Sequence, residues 1–285
     1  MEGAALWIFL LVWAGAALTC AHRAGFFHLP HPERARWVTL NWPAVLIYFA
    51  IYLGTSFWVG PLLGGIVDSW SNSHTPVSEG TLQCLFHLCY AVALVGSLIL
   101  FSMTQDRACL RRIWKESPSH DSIRSDMVYG ASIWFVAFPL ASLASEMGDW
   151  IVFHLLSAPE YEQAAVAYLH NSIGNPFMVL VALITILVAA PALEEFLFRG
   201  ILQSWIKKQL GAKSAILSSS LIFALFHITT GQGYGNISLV LSLFTFAYFL
   251  GNVYEKRGSL FASIALHASF NSISCLRILA EGGAS

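Results

Sequence analysis

Eight stretches of this chain, roughly 4 to 20, 43 to 66, 82 to 103, 127 to 147, 177 to 198, 212 to 228, 237 to 254 and 259 to 277, are almost free of charge. Each comes close to the about 20 apolar residues that a helix needs to cross a bilayer. In hydrocarbon there is no water to satisfy backbone N–H and C=O groups, so segments of this length must bond internally, as helices. The pattern predicts an all-α polytopic membrane protein of about eight transmembrane helices. Composition agrees: 56% of residues are hydrophobic and 11% charged, against about 25% charged in a soluble domain. The first stretch has no Lys or Arg ahead of it and ends in Ala17-Leu18-Thr19-Cys20, a poor cleavage or lipidation site, and it reads as a retained helix.

Lys and Arg give an independent check, because they accumulate in cytoplasmic connections. Arg23, Arg34 and Arg36, then Arg107, Arg111, Arg112, Lys115 and Arg124, then Lys207, Lys208 and Lys213, then Lys256 and Arg257 occupy every second connection. The loops between, 68 to 81, 148 to 176 and 229 to 236, contain none. This alternation places both termini on the non-cytoplasmic side. The connection 148 to 176 carries Trp150 and Phe153 beside Asp149, Glu160 and Glu162, which predicts a short helix on the membrane surface.

Net charge is −1 and the pI near 6.8, which leaves no basic field for nucleic acid. The five cysteines, Cys20, Cys84, Cys89, Cys109 and Cys275, are odd in number and form no C-x-x-C pair, so they read as packing residues. No polar stretch is long enough for a soluble domain. The chain reads as one structural domain, with N-terminal membrane helices over 1–175 and a second group over 176–280 that holds the informative residues.

Those residues are the ones lipid should not tolerate, since a charge inside a spanning helix costs several kcal/mol and calls for a partner or a task. The fifth stretch ends Pro191-Ala192-Leu193-Glu194-Glu195-Phe196-Leu197-Phe198-Arg199, the sixth ends Phe223-Ala224-Leu225-Phe226-His227, and the eighth contains His267-Ala268-Ser269-Phe270-Asn271. Residues four apart share a helix face. Glu195 can therefore pair with Arg199, while Glu194 points elsewhere and stays free for chemistry. His267 and Asn271 share a face, and the ring of Phe223 can wedge His227 one turn on. Counted at about 1.5 Å per residue from the nearest basic anchor, Glu194, His227 and His267 lie about 20, 21 and 15 Å deep, in one layer. A carboxylate beside an imidazole can deprotonate a water, and a second imidazole with an amide can donate to an oxyanion. Peptide hydrolysis needs those parts and no covalent nucleophile.

At these residues the sequence resembles the CPBP family, which includes the type II CAAX prenyl endopeptidases and bacterial relatives involved in bacteriocin processing or self-immunity. The family pattern E-E-x-x-x-R, F-x-x-x-H, H-x-x-x-N appears as Glu194-Glu195 with Arg199, Phe223 with His227, and His267 with Asn271, over about 185 to 273. The resemblance implies an eight-helix fold with a cavity in the membrane, Glu194 and His227 activating water, His267 and Asn271 stabilising the oxyanion, and Glu195 and Arg199 in support. It implies a membrane-associated peptide or lipidated protein as substrate. No cofactor is required on this reading. A zinc enzyme would use Glu194, His227 and His267 as ligands, but the compact H-E-x-x-H spacing of many zinc proteases is missing.

Competing readings explain less. Gly130-Ala131-Ser132-Ile133 looks like a rhomboid G-x-S-x, yet His267-Ala268-Ser269-Phe270 lacks the small-residue spacing expected after a rhomboid histidine. No G-x-G-D pair exists for an aspartyl mechanism. A proton-coupled carrier would use Glu and His in mid-membrane, but needs neither Asn271 nor Arg199. A scaffold that had lost catalysis would not need the complete set.

Overall fold

The computed structural model describes residues 2–29, 40–71, 79–115, 122–156, 169, 172–173 and 175–282. Among these, helices account for nearly all the structure, and the one strand-like feature is an isolated bridge between Lys115 and Ser259. Helix α1 spans Glu2–Arg23, and α2 (Trp42–Gly54) runs through a π-helical turn, Thr55–Val59, into α3 (Gly60–Ser71). Then come α4 (Glu79–Ser102), the short α5 (Arg107–Trp114) and α6 (Ile123–Trp150), which ends in a π turn, Ile151–Leu155. A long composite follows: α7 (Pro176–Ile184), a π turn (Thr185–Ala189), α8 (Ala190–Glu195), a π stretch (Phe196–Gln203) and α9 (Ser204–Leu225). A 3₁₀ turn, Thr230–Gly235, leads to α10 (Asn236–Arg257) and α11 (Leu260–Gly282).

Local signals set several of these ends. Asn41 caps α2 by accepting from the Ala44 N–H at 3.0 Å, and Asn175 caps α7 by accepting from Phe177 and Met178. Both helices carry Pro in the first turn, where no N–H is needed. Helix α10 stops at Gly258, whose φ of 55° lies in the left-handed region, and α11 starts two residues on.

Among the described residues, six segments are long and apolar enough to cross a membrane: Ala5–Arg23, Trp42–Trp70, Leu85–Ser102, Ile123–Leu155, Pro176–Leu225 and Gly231–Arg257. The multi-pass all-α architecture holds, with six such segments where the sequence predicts eight spans. The difference has a physical origin. Pro176–Leu225 is 50 residues long, about 75 Å if straight, more than twice the about 30 Å of hydrocarbon. It breaks at Gly211, with φ 78° and ψ 168°, and folds back on itself. Phe198 then meets Phe223, ring centroids 5.0 Å apart, and Gln203 meets Ser219 at 3.1 Å. This one segment thus covers two of the expected stretches, and α11 is not among the six. The surface helix expected within 148 to 176 falls largely on residues outside those described, as do Arg34 and Arg36.

The distribution of side chains is inverted relative to a soluble protein. Phe57, Trp58, Leu62, Val92, Leu100 and Val188 are exposed, while Asp126, Glu195, Arg199, Gln203 and Ser219 are buried. Lipid is as apolar as Leu, so tight packing and interhelical hydrogen bonds must hold the helices together. Helix α6 lies against α1, α10 and α11 through small residues. A Cβ on Gly130 would sit 1.9 Å from the Ala262 carbonyl oxygen, and one on Gly148 would sit 2.4 Å from the Ser238 Cα. Ser238 adds bonds to the Ser145 carbonyl at 3.0 Å and to Asp149 at 2.5 Å.

The basic connections gather at one end of the bundle. Asp126 is fully buried there between Lys115 at 2.9 Å and Arg257 at 2.7 Å. Lys207 pairs with Glu255 at 2.7 Å, and Lys256 donates to the Gly25 carbonyl at 2.6 Å. These contacts tie α1, α5, α6, α9 and the α10–α11 turn together. The close approach of α6 and α11 yields a direct test. Gly130→Ala should destabilise the protein by about 1–3 kcal/mol through overpacking, while Gly65→Ala, which meets no atom within 4 Å, should be neutral. Thermal melting of both variants in detergent checks this.

Candidate active site

The central carboxylates lie on α8, a six-residue segment between two π-helical stretches. Such wide turns recur at functional positions in helices. They displace backbone carbonyls from the regular ladder, and one is used here: Asn271 of α11 donates from Nδ2 to the Ile186 carbonyl, inside the first π turn, at 2.9 Å. The amide predicted as an oxyanion donor thus spends one N–H on holding α11 against the composite helix.

Glu195 and Arg199 pair as their spacing predicts, Nη1 to Oε1 at 3.1 Å, both side chains fully buried. Arg199 also donates from Nη2 to the Ala247 carbonyl of α10 at 3.2 Å, and its guanidinium lies 4.5 Å over the Phe223 ring. The same Glu195 Oε1 accepts from His267 Nδ1 at 2.9 Å. That last bond is absent from the sequence reading, which assigned Glu195 to Arg199 alone. One carboxylate therefore carries a guanidinium on one side and an imidazole on the other.

This bond decides what His267 presents. A carboxylate only accepts, so Nδ1 holds the hydrogen and Nε2 is turned outward. His227 is fixed the same way: Nδ1 lies 2.8 Å from the Phe223 carbonyl, which also only accepts. The two outward Nε2 atoms face one oxygen. Glu194 Oε2 is 3.9 Å from His227 Nε2 and 3.8 Å from His267 Nε2. These separations are too long for direct hydrogen bonds and match what one water, about 2.8 Å from each atom, would bridge. Side-chain exposure rises from 6% at His267 through 18% at Glu194 to 32% at His227, so the group opens on the His227 side.

Aromatic rings wall this group. Phe223 contacts the His227 ring at 4.6 Å and the His267 ring at 6.1 Å, as the wedge role predicts, and Phe246 closes on His267 at 5.3 Å. Tyr52 of α2 stands beside Phe226, the residue before His227, with ring centroids 6.3 Å apart. The sequence reading missed Tyr52, since a lone tyrosine in an apolar run carries no motif. Next to it, a wholly apolar groove of about 280 Å³ runs between Trp42, Leu46, Phe49, Trp205, Ile222 and Phe226. Among the described residues there is no group of three His, Cys, Asp or Glu side chains close enough to hold a metal ion. The Glu194 Oε2 and the two Nε2 atoms are nonetheless the donors a zinc tripod would use.

Fold and site together define a multi-pass membrane protein with a carboxylate–histidine centre buried in its helical bundle. Residues 176–273 match the family model described as type II CAAX prenyl endopeptidase Rce1-like, so this part of the chain is similar to the CAAX proteases of the CPBP family. No curated protein and no solved structure matches the chain.

Removing one partner of a fully buried ion pair leaves a bare charge and costs about 3–5 kcal/mol. Arg199→Ala and Glu195→Ala should each lower the melting temperature in detergent. Arg199→Lys should restore little of it, because an ammonium cannot reach Glu195 and the Ala247 carbonyl as a planar fork does.

Proposed function

We propose that the chain is an intramembrane endopeptidase in which water activated by Glu194 and His227 hydrolyses a peptide bond of a membrane-associated substrate. The observation that carries this reading is the convergence of two imidazole Nε2 atoms on Glu194 Oε2 at 3.8 and 3.9 Å. Glu194 takes a proton from a water held between it and His227. The water oxygen bonds to the scissile carbonyl carbon, whose oxygen becomes negative. His267, once protonated, donates from Nε2 to that oxyanion, and the remaining Asn271 N–H is the second donor. The C–N bond then breaks, and Glu194 returns its proton to the leaving nitrogen. The rings of Phe223 and Phe246 wall the site with apolar surface, which strengthens each of these interactions relative to open water.

By analogy with the family's prenyl endopeptidases, the substrate is a segment C-terminal to a lipidated cysteine, and the bundle end that gathers the basic connections faces the cytoplasm. The apolar groove reaches Phe226, next to His227, and offers an apolar chain on such a substrate a place beside the site. A zinc-dependent form of the same hydrolysis has one observation in its favour: both histidines have Nδ1 held by an oxygen acceptor, as metal-bound histidines do.

Two measurements test this. Peptidomics of membranes carrying wild type, Glu194→Ala or His227→Ala should show cleavage products that vanish in both variants, with rates down about 10²–10⁴-fold; unchanged products in Glu194→Ala would sink the assignment. Purified enzyme dialysed against a strong chelator should keep its activity, and loss restored by zinc would establish the metal form instead.

A further inference from the structure

We propose that Gln203 is a positioning residue for the water-activating pair, tying the helix stripe that carries Glu194 and Glu195 to the stripe that carries His227, and both to α10. The inference rests on the endopeptidase reading for its activity assay and on geometry for everything else.

Glu195, Arg199, Gln203 and Lys207 follow one another at intervals of four along the first arm of the hairpin, and Ser219, Phe223 and His227 do so along the second. Each set therefore lies close to one face. The arms meet in layers: Arg199 stacks on Phe223, and one turn further from the site Ser219 Oγ donates to Gln203 Oε1 at 3.1 Å. The first arm also meets α10 in steps of four. Arg199 donates to the Ala247 carbonyl at 3.2 Å, Gln203 to the Gly251 carbonyl at 3.1 Å, and Lys207 pairs with Glu255 at 2.7 Å. Gln203 Nε2 gives its second bond to Glu255 Oε1, also at 3.1 Å.

The middle layer joins three helical segments through a single uncharged side chain. Gln203 is fully buried, donates twice and accepts once, so its amide has little freedom to rotate or slide. The fit depends on a missing side chain on the facing helix. A Cβ on Gly251 would come within 2.8 Å of Gln203 Oε1 and 3.2 Å of Ile216, so glycine is what lets the amide reach the backbone. From this fixed point, two turns along each arm lead to Glu195 and to His227. The distance between those arms sets the gap that must hold one water beside Glu194. Displacement of a reacting group by about 1 Å can cost about 10²-fold in rate.

The full chain in detergent micelles, with an internally quenched peptide carrying a farnesylated cysteine as probe, gives the test. Gln203→Leu and the milder Ser219→Ala should lower kcat, by about 10- to 100-fold for Gln203→Leu, with KM little changed and melting temperatures within a few degrees of wild type. A second readout needs no turnover: in protein labelled with ¹⁵N in its histidine rings, the His227 signal, assigned by its loss in His227→Gln, should shift in Gln203→Leu. Wild-type kcat in both variants overturns the proposal, and so does a loss of kcat that only tracks loss of folded protein. Failure of wild type to cleave the probe counts against the endopeptidase reading alone, and the His227 signal then decides: if Gln203→Leu leaves it unmoved, Gln203 positions nothing.

Discussion

The buried Glu195 carboxylate is the interaction on which the rest of the centre depends. In a low-dielectric interior a charge persists only if it is paired and hydrogen-bonded. Glu195 meets that demand with Arg199 on one side and His267 on the other, all three essentially out of solvent. Because one oxygen serves both partners, the orientation of the guanidinium and that of the imidazole are coupled. Arg199 in turn grips the α10 backbone and supports Phe223, whose ring packs against His227. The catalytic-looking atoms are the visible end of a chain of contacts that starts at a residue with no chemistry of its own.

Much of this was legible in the sequence because the bilayer penalises polar groups so heavily. Glu194, Glu195, Arg199, His227 and His267 stand out against apolar neighbours, and spacing alone pairs Glu195 with Arg199 and brings three helices to a common depth. The remainder depends on contacts between segments far apart in the chain. No periodicity tells that Glu195 also holds His267, 72 residues on, or that Asn271 turns one N–H toward Ile186, 85 residues back. Tyr52 is silent because a single tyrosine in a hydrophobic run is ordinary. The eight expected spans and the six apolar segments differ at Gly211 and α11: one glycine folds a continuous helix into two arms, at the connection that Lys207, Lys208 and Lys213 mark in the sequence.

The two sides of the chain's chemistry are segregated along the bundle. At one end Asp126, Lys115, Arg257, Glu255 and Lys207 form charge pairs that join connections to one another. Deeper in, the buried charges among the described residues are Glu195 and Arg199, beside Glu194 and His267. Between the two lies Gln203, an uncharged amide that accepts from Ser219 and donates to the Gly251 carbonyl and to Glu255.

The wide turns on either side of α8 have a mechanical meaning. A regular helix of this length would fix the azimuth of Glu194 by whatever packing its distant ends require, because every residue advances the face by the same angle. Thr185–Ala189 and Phe196–Gln203 interrupt that bookkeeping twice within 19 residues. The six residues between them form a short mount whose rotation about its own axis is set locally, by Asn271 above and Arg199 below. Lipid-facing residues upstream can then change to suit their own surroundings without turning the carboxylate away from its two histidines.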